Sequence, residues 1–303
     1  VRFDGGHKRD RFVTDLLGQF VEWVPVCPEV EVGMDTPRPA LRLVGDGDGD
    51  SEFVRMVEIK SGLDHTQAME RYSAQRVRAL RSLDLGGYIL KKDSPSCGMT
   101  RVKVYEEKGM PKRRGRGLYA SALMDAYPNL PFEDEGRLND PKLRENFIER
   151  VFAYQRLRHL FAGRWTRGQV VAFHTAHKLQ VMAHSTVAYR ELGRLVATLK
   201  ETPRAEFRER YESGFMQAIS QVATRGRNAN VLQHAAGHLK KRLDSASRAE
   251  LAALIHDYRE GLVPLVVPVT LIGHHVRRHG VDYLNGQVFL EPHPKELMLR
   301  NHV

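Results

Sequence analysis

Apolar positions follow two rhythms along this chain, and the change comes near residue 145. Before it, short apolar runs predominate. Residues 20–26 (Phe20, Val21, Trp23, Val24) and the run Tyr88, Ile89, Leu90 read as buried strands. Residues 41–44, 54–57 and 102–105 alternate apolar with polar side chains, as strands with one solvated face do. Between them, residues 64–83 place Met69, Tyr72, Val77, Leu80 and Leu83 at helical spacing, with Gly86-Gly87 as the stop. Shorter helices are expected over 10–18, capped by Asp10, and over 117–127. Strand, helix, strand predicts an α/β domain with a parallel, Rossmann-like sheet, whose ligands sit beyond the carboxyl ends of the strands.

The second rhythm is helical almost throughout. Asp140-Pro141 opens a helix running to about Leu160, with Pro in its first turn. Further helices are expected over 169–199, 203–222, 228–243, 247–259 and 264–279, punctuated by Gly261, Gly280 and Pro292–Pro294. The expected organisation is an α/β domain over 1–145 and an all-α helical bundle over 146–303.

Charge separates the same two halves. The chain has 303 residues and a net charge of +10, and from Val151 onward 22 Lys+Arg stand against 12 Asp+Glu, so the excess lies in the helical half. Twelve of the 14 histidines lie there too. A basic half beside a neutral one points to a polyanion-binding module joined to a working domain; the plainer reading is a solvated basic surface. No apolar run approaches the roughly 20 residues that span a bilayer, so no membrane association is expected. No obligate protein partner is implied. The two cysteines, Cys27 and Cys97, make no disulfide framework and suit a reducing, cytoplasmic setting. No signal peptide opens the chain, and its start at Val1 without Met suggests truncation or processing.

The candidate chemistry gathers where the two strand predictions end. Cys27 precedes Pro28-Glu29, and Cys97 lies in Asp93-Ser94-Pro95-Ser96-Cys97-Gly98. Two such cysteines can meet in space and hold a metal cluster, although zinc and iron–sulfur sites ordinarily need three or four ligands. Inert thiols or a redox disulfide are the alternatives. Glu29 stands two residues from Cys27, so an extended segment turns both side chains the same way; its carboxylate can then act as a base on water. Ser94 and Ser96 can hydrogen-bond a substrate. The structural alternative pairs Glu29 with an arginine and has the serines close a turn. Arg113, Arg114 and Arg116, with Lys112, lie in a Gly- and Arg-rich loop that suits either a phosphate-bearing substrate or a solvated linker. The Gly45–Asp50 repeat lacks the final bidentate Glu of a calcium loop. His174, His177 and His184 lack a carboxylate to complete a metal set and suit packing or RNA contact better.

Several of these residues carry a resemblance. Val1-Arg2-Phe3-Asp4-Gly5-Gly6, Cys27-Pro28-Glu29-Val30 with Gly33, Pro37-Arg38, and Lys91 with Asp93-Ser94-Pro95-Ser96-Cys97-Gly98 resemble the TudS thiouracil desulfidase family over roughly residues 1–145. Phe173–Lys178, Met182–Ser185 and the tail His293–Arg300 resemble the YbgA-like helical domain. The fused arrangement is similar to RudS-type desulfidases, which convert 4-thiouridine of transfer RNA to uridine. The resemblance implies a 4Fe-4S cluster held by three cysteines with one iron open to sulfur, and hydrolytic loss of sulfide without net redox change. It implies that Cys27 and Cys97 are cluster ligands, Glu29 the base, and Ser94, then Ser96, the assisting hydroxyl. Asp4 and the arginines at 113, 114 and 116 would bind substrate. The family's first cysteine lies just upstream of Val1, so two of three ligands are expected here. The basic helical half would grip tRNA phosphates through Arg225, Arg227, Lys240, Lys241, Arg242, Arg277 and Arg278. Rival functions are desulfuration of free thiouracil or thionucleosides, and a non-catalytic RNA-binding or redox-sensing role with a Cys27–Cys97 disulfide.

Overall fold

A computed structural model describes residues 4, 6, 9–45, 54–106 and 110–303. It divides into two compact units, Val1–Asn139 and Asp140–Val303. No helix among the described residues is long and apolar enough to cross a membrane.

The N-terminal unit is α/β with a mixed arrangement of strands. β1 (Leu41–Gly45) and β2 (Val54–Glu58) form an antiparallel pair, as their alternating pattern predicts. β1 also pairs in parallel with β4 (Val102–Tyr105), which pairs antiparallel with β5 (Lys112–Gly115), giving the order β2-β1-β4-β5. A separate parallel pair joins β3 (Tyr88–Leu90) to β6 (Phe132–Asp134). Among the described residues, the parallel pairing expected of this domain is therefore realised at β1/β4 and β3/β6. β5 replaces the expected Arg-rich loop. Its side chains are charged and largely exposed, as befits a sheet edge that must not recruit further strands. Helix α2 (Thr66–Leu80) buries Met69, Ser73, Val77 and Leu80 on one face and packs against α3 (Leu118–Ala126).

The strand expected over 20–26 does not form. The chain turns helically over Phe12–Leu16 and Leu17–Gln19, with the Asp10 carboxylate accepting from the Val13 amide, and then runs without regular structure to Cys27. Phe20, Trp23 and Val24 are exposed, so this apolar run finds no sheet to bury it among the described residues. Pro28 then starts a short helix, α1 (Pro28–Glu31), in which Pro's missing N–H costs nothing. The Gly45–Asp50 calcium question falls mostly outside the described residues.

The C-terminal unit is all helical: α4 (Pro141–Phe161), α5 (Arg167–His184), α6 (Thr186–Ala197), α7 (Arg204–Ser220), α8 (Arg225–Leu239), α9 (Ser245–Glu260) and α10 (Val266–His279). Asp140 caps α4 by accepting from the amides of Lys142 and Leu143. The single helix expected over 169–199 is two. Ser185 is extended (φ −154°, ψ 113°) and its hydroxyl accepts from the Ala188 amide, so it ends one helix and caps the next. One apolar cluster centres on α8–α10, including Leu232, Leu239, Ile255 and Ile272; another gathers Phe161, Phe207, Tyr211 and Phe215 around α4–α7.

Charged groups are also buried in this unit. Glu149 accepts from His184 Nε2 at 3.2 Å and from Gln180 Nε2 at 2.9 Å, while Arg300 Nε reaches Glu145 at 3.1 Å. His177 accepts from Arg156 through Nε2 and donates to the Phe173 carbonyl through Nδ1, which sets its tautomer. His174 lies 3.1 Å from the Tyr211 hydroxyl. These histidines thus serve packing and hydrogen bonding. No group of three or more metal-ligating side chains occurs among the described residues.

Candidate functional site

The site is built from two segments far apart in sequence, α1 and the loop after β3. Cys27 is the residue before α1, so Cys27 and Glu29 do not belong to an extended segment as expected; one is the cap and the other lies in the first turn. Glu31 anchors this turn. One of its carboxylate oxygens accepts from the Cys27 amide at 3.1 Å, and the other accepts from the Tyr72 hydroxyl at 2.7 Å, with Arg76 3.4 Å away. Helix α2 thereby fixes where Cys27 and Glu29 stand.

The loop 94–98 is held equally firmly. Ser94 Oγ accepts from the amides of Ser96 (3.3 Å) and Cys97 (3.1 Å), and the Gly98 amide donates to the Ser94 carbonyl at 2.8 Å. Asp93 and Arg101, on either side, both adopt left-handed backbone (φ 58° and 57°), an uncommon conformation for residues with side chains. Gly98 is required by contact: a Cβ there would lie 2.2 Å from Val102 Cγ2 and 2.7 Å from the Ser94 carbonyl. Gly117, the cap of α3, is required for the same reason. Its Cβ would fall 2.4 Å from the Ser96 carbonyl oxygen and 2.7 Å from the Cys97 nitrogen. That close approach lets Gly117, Leu118 and Ala120 donate their amides to the carbonyls of Gly98, Pro95 and Ser96. The free donors at the start of α3 are thus spent on holding the loop.

Glu29 joins the two segments. Its Oε1 accepts from Ser96 Oγ at 2.6 Å and lies 3.3 Å from Ser94 Oγ. Its Oε2 accepts from both Nε and Nη2 of Arg38, whose side chain is only 4% exposed. Both structural alternatives are met in part, since Glu29 pairs with an arginine and Ser94 closes a turn, yet the same atoms also form one connected cluster. Ser96 is wholly buried and stands 3.5 Å from Cys97 Sγ, so it acts between Glu29 and Cys97; Ser94 keeps some exposure.

Both cysteines are free thiols. Burial pushes the Cys97 thiol up to about 12, reinforced by the charge of Glu29 and by Cys27, against the Ser96 and Ser94 hydrogen bonds that favour the thiolate. Both cysteines are partly exposed and both flank Glu29, Cys27 beside its helical turn and Cys97 through Ser96, and such thiols suit soft-metal ligation. They supply two ligands of a set, and the described residues add no third Cys, His, Asp or Glu to make a complete metal site. Behind Cys97, Tyr88 and Tyr119 share a 3.0 Å hydroxyl contact, and burial raises both phenols.

The remaining expected residues lie elsewhere. Arg113 pairs with Asp93 at 3.3 Å, Arg114 with Glu106 at 3.1 Å and Arg116 with Asp125 at 3.7 Å. Through Asp93, Arg113 reaches the flank of the 94–98 loop. Asp4 is exposed and accepts from the Gly6 amide; the neighbouring family segment lies largely outside the described residues. In the helical unit, Lys240, Lys241 and Arg242 follow α8, and Arg277 and Arg278 end α10. Because α9 runs back between them, and His238 stacks on Tyr283 just beyond α10, these five cations share one end of the bundle. Arg225 and Arg227 begin α8, whose 15 residues separate them from the others by about 22 Å. Arg225 lies over the Tyr258 ring and Arg227 donates to the Val222 carbonyl, so both have structural uses. Arg38 and Gly117 are the site residues that sequence reasoning did not assign; the Pro37-Arg38 pair was visible only as part of a resemblance.

Comparison with known proteins follows the same division. Residues 1–135 match the family model described as 2-thiouracil desulfurase, and residues 178–294 match one described as a protein of unknown function, DUF1722. The uncharacterized protein YbgA of Escherichia coli is 32% identical over 165 residues, 54% of this chain and 98% of that protein. The uncharacterized protein YbbK of Bacillus subtilis is 29% identical over 140 residues, 46% of this chain and 90% of that protein. No solved structure matches. With nearly all of the Escherichia coli protein covered, the chain belongs to the YbgA family, and it joins that helical region to an N-terminal region that matches the 2-thiouracil desulfurase model across the Glu29–Cys97 cluster.

Proposed function

We propose that the protein removes sulfur from 4-thiouridine in tRNA, giving uridine and sulfide by hydrolysis of the C=S bond. The observation that carries this reading is Glu29 Oε1, held 2.6 Å from Ser96 Oγ beside Cys97 within a region that matches a desulfurase family. Cys27 and Cys97 would be two of the ligands of a 4Fe-4S cluster. When bound, such a cluster would supply a Lewis-acidic iron for the thiocarbonyl sulfur. The chain's own part is proton handling. Glu29 takes a proton from water as the water oxygen bonds to the pyrimidine carbon. The C–S bond then breaks, sulfur departs as sulfide, and no electron is gained or lost overall. Ser94, the partly exposed residue of the pair, faces substrate, while Ser96 holds Glu29 in place. The five cations at one end of α8–α10 grip RNA phosphates, which carry affinity without reading sequence.

The family description itself favours a second reading, desulfuration of free 2-thiouracil or a thionucleoside. The full chain, carrying its cluster, is assayed for sulfide release from thiolated tRNA and from the free nucleoside. Faster turnover of tRNA, falling steeply with salt, supports the first reading. Equal, salt-insensitive turnover supports the second, and release from neither substrate overturns both.

A further inference from the structure

We propose that Arg38 is the positioning residue of Glu29, reserving one named oxygen, Oε1, for proton transfer. The proposal rests on Glu29 acting as the base. Two donors of one guanidinium, Nε at 2.8 Å and Nη2, converge on Oε2 and leave Oε1 to the serines. The opposite edge of the guanidinium is pinned, with Nη1 3.4 Å from Thr36 Oγ1. Arg38 is buried, so water does not compete for these contacts. A guanidinium stays charged at every working pH, and its donors cannot accept a proton back. Oε2 is therefore committed, and a proton taken from water arrives on Oε1, on the side of Ser96 and Cys97. Without Arg38 only the serine contacts restrain the carboxylate, and Oε2 is no longer withheld from the proton. A lysine ammonium replaces the charge but not the two-pronged geometry.

The test uses the full chain with its cluster. Arg38→Gln is expected to lower kcat by about a hundredfold or more, the scale of a misplaced catalytic group, while KM stays within about threefold. Arg38→Lys should recover only part of this loss. In Arg38→Ala, added guanidinium ion should restore kcat, a rescue that a purely structural role would not give. A readout independent of turnover is the crystal structure of Arg38→Gln, in which the Glu29 carboxylate should leave Ser96. If Arg38→Gln and Arg38→Ala do not fold, the kcat and KM of Arg38→Lys decide the matter: lowered kcat at unchanged KM supports the proposal, and wild-type kcat overturns it. Glu29→Gln separates the two levels of inference. An inactive Glu29→Gln beside a fully active Arg38→Gln refutes the positioning role alone, whereas an active Glu29→Gln removes the base reading and this proposal together.

Discussion

Replacing Gly117 with alanine tests how the cysteine loop is held. Gly117 has φ −64° and ψ 144°, which alanine adopts freely, so backbone preference costs nothing. The whole effect comes from contact. The new methyl would lie 2.4 Å from the Ser96 carbonyl oxygen, 2.5 Å from its carbon and 2.7 Å from the Cys97 nitrogen, all backbone atoms that cannot rotate away. Relief requires moving the start of α3 off the loop, which breaks the hydrogen bonds of Gly117 to Gly98, Leu118 to Pro95 and Ala120 to Ser96. At about 1 kcal/mol each, the loss is about 3 kcal/mol, or a fall of roughly 10 °C in the melting transition of the N-terminal unit. Hydrogen exchange read by mass spectrometry should show lost protection in peptides covering 94–98 and 117–126, with the helices of the C-terminal unit unchanged. Wild-type protection in both peptides together with an unchanged melting transition would refute the close approach of α3 and the loop.

Four further outcomes follow from the geometry. Burial raises the Cys97 thiol, so at pH 8 almost none of it is thiolate; in the protein free of metal, alkylation of Cys97 should be roughly a hundredfold slower than after unfolding in urea, as followed by peptide mass spectrometry. Glu149 is buried, which by itself would raise its carboxyl, but His184 outweighs burial and holds it low; burial likewise lowers His184, and Glu149 outweighs that and raises it. The His184 contribution is thus complete below about pH 6.5 and lost as pH rises through its raised value, while that of Glu149 is complete above about pH 4.5 and lost on acidification, so urea unfolding against pH should show this profile. Glu149→Gln should abolish the profile and cost about 3–5 kcal/mol, since it strands buried positive charge. Replacing Lys240, Lys241 and Arg242 together with alanine should weaken tRNA binding and reduce the slope of log affinity against log salt by about 2–3, with free-nucleoside turnover unchanged.

What the sequence disclosed depended on which physical signal each element leaves. Helix α2 and the helices of the C-terminal unit carry long periodic faces, and α4 adds an Asp-Pro start, so they were readable. The split between α5 and α6 was not, because the apolar period continues across Ser185 and only its capping hydroxyl marks the break. Residues 20–24 misled in the opposite way, since an apolar run proves nothing without a partner to bury it, and the short helix that Pro28 starts was not expected. β5 is a run of lysine and arginine, and β6 is three residues with a buried Glu-Asp pair, so neither resembles an apolar strand. At the site, Cys27, Glu29, Ser94, Ser96 and Cys97 were readable as chemistry-bearing types beside Pro and Gly. Arg38 was not, because one arginine among many announces nothing until its carboxylate partner is seen.

The central claim is that Glu29 activates water for removal of sulfur from a thiolated pyrimidine. The measurement that tests it most directly is single-turnover release of sulfide from thiolated tRNA by the cluster-loaded full chain and its Glu29→Gln variant, with iron content measured on both. The account predicts equal iron and a loss in rate of about a hundredfold to ten-thousandfold in the variant, the range of general-base catalysis. Equal iron with an unchanged rate would contradict it.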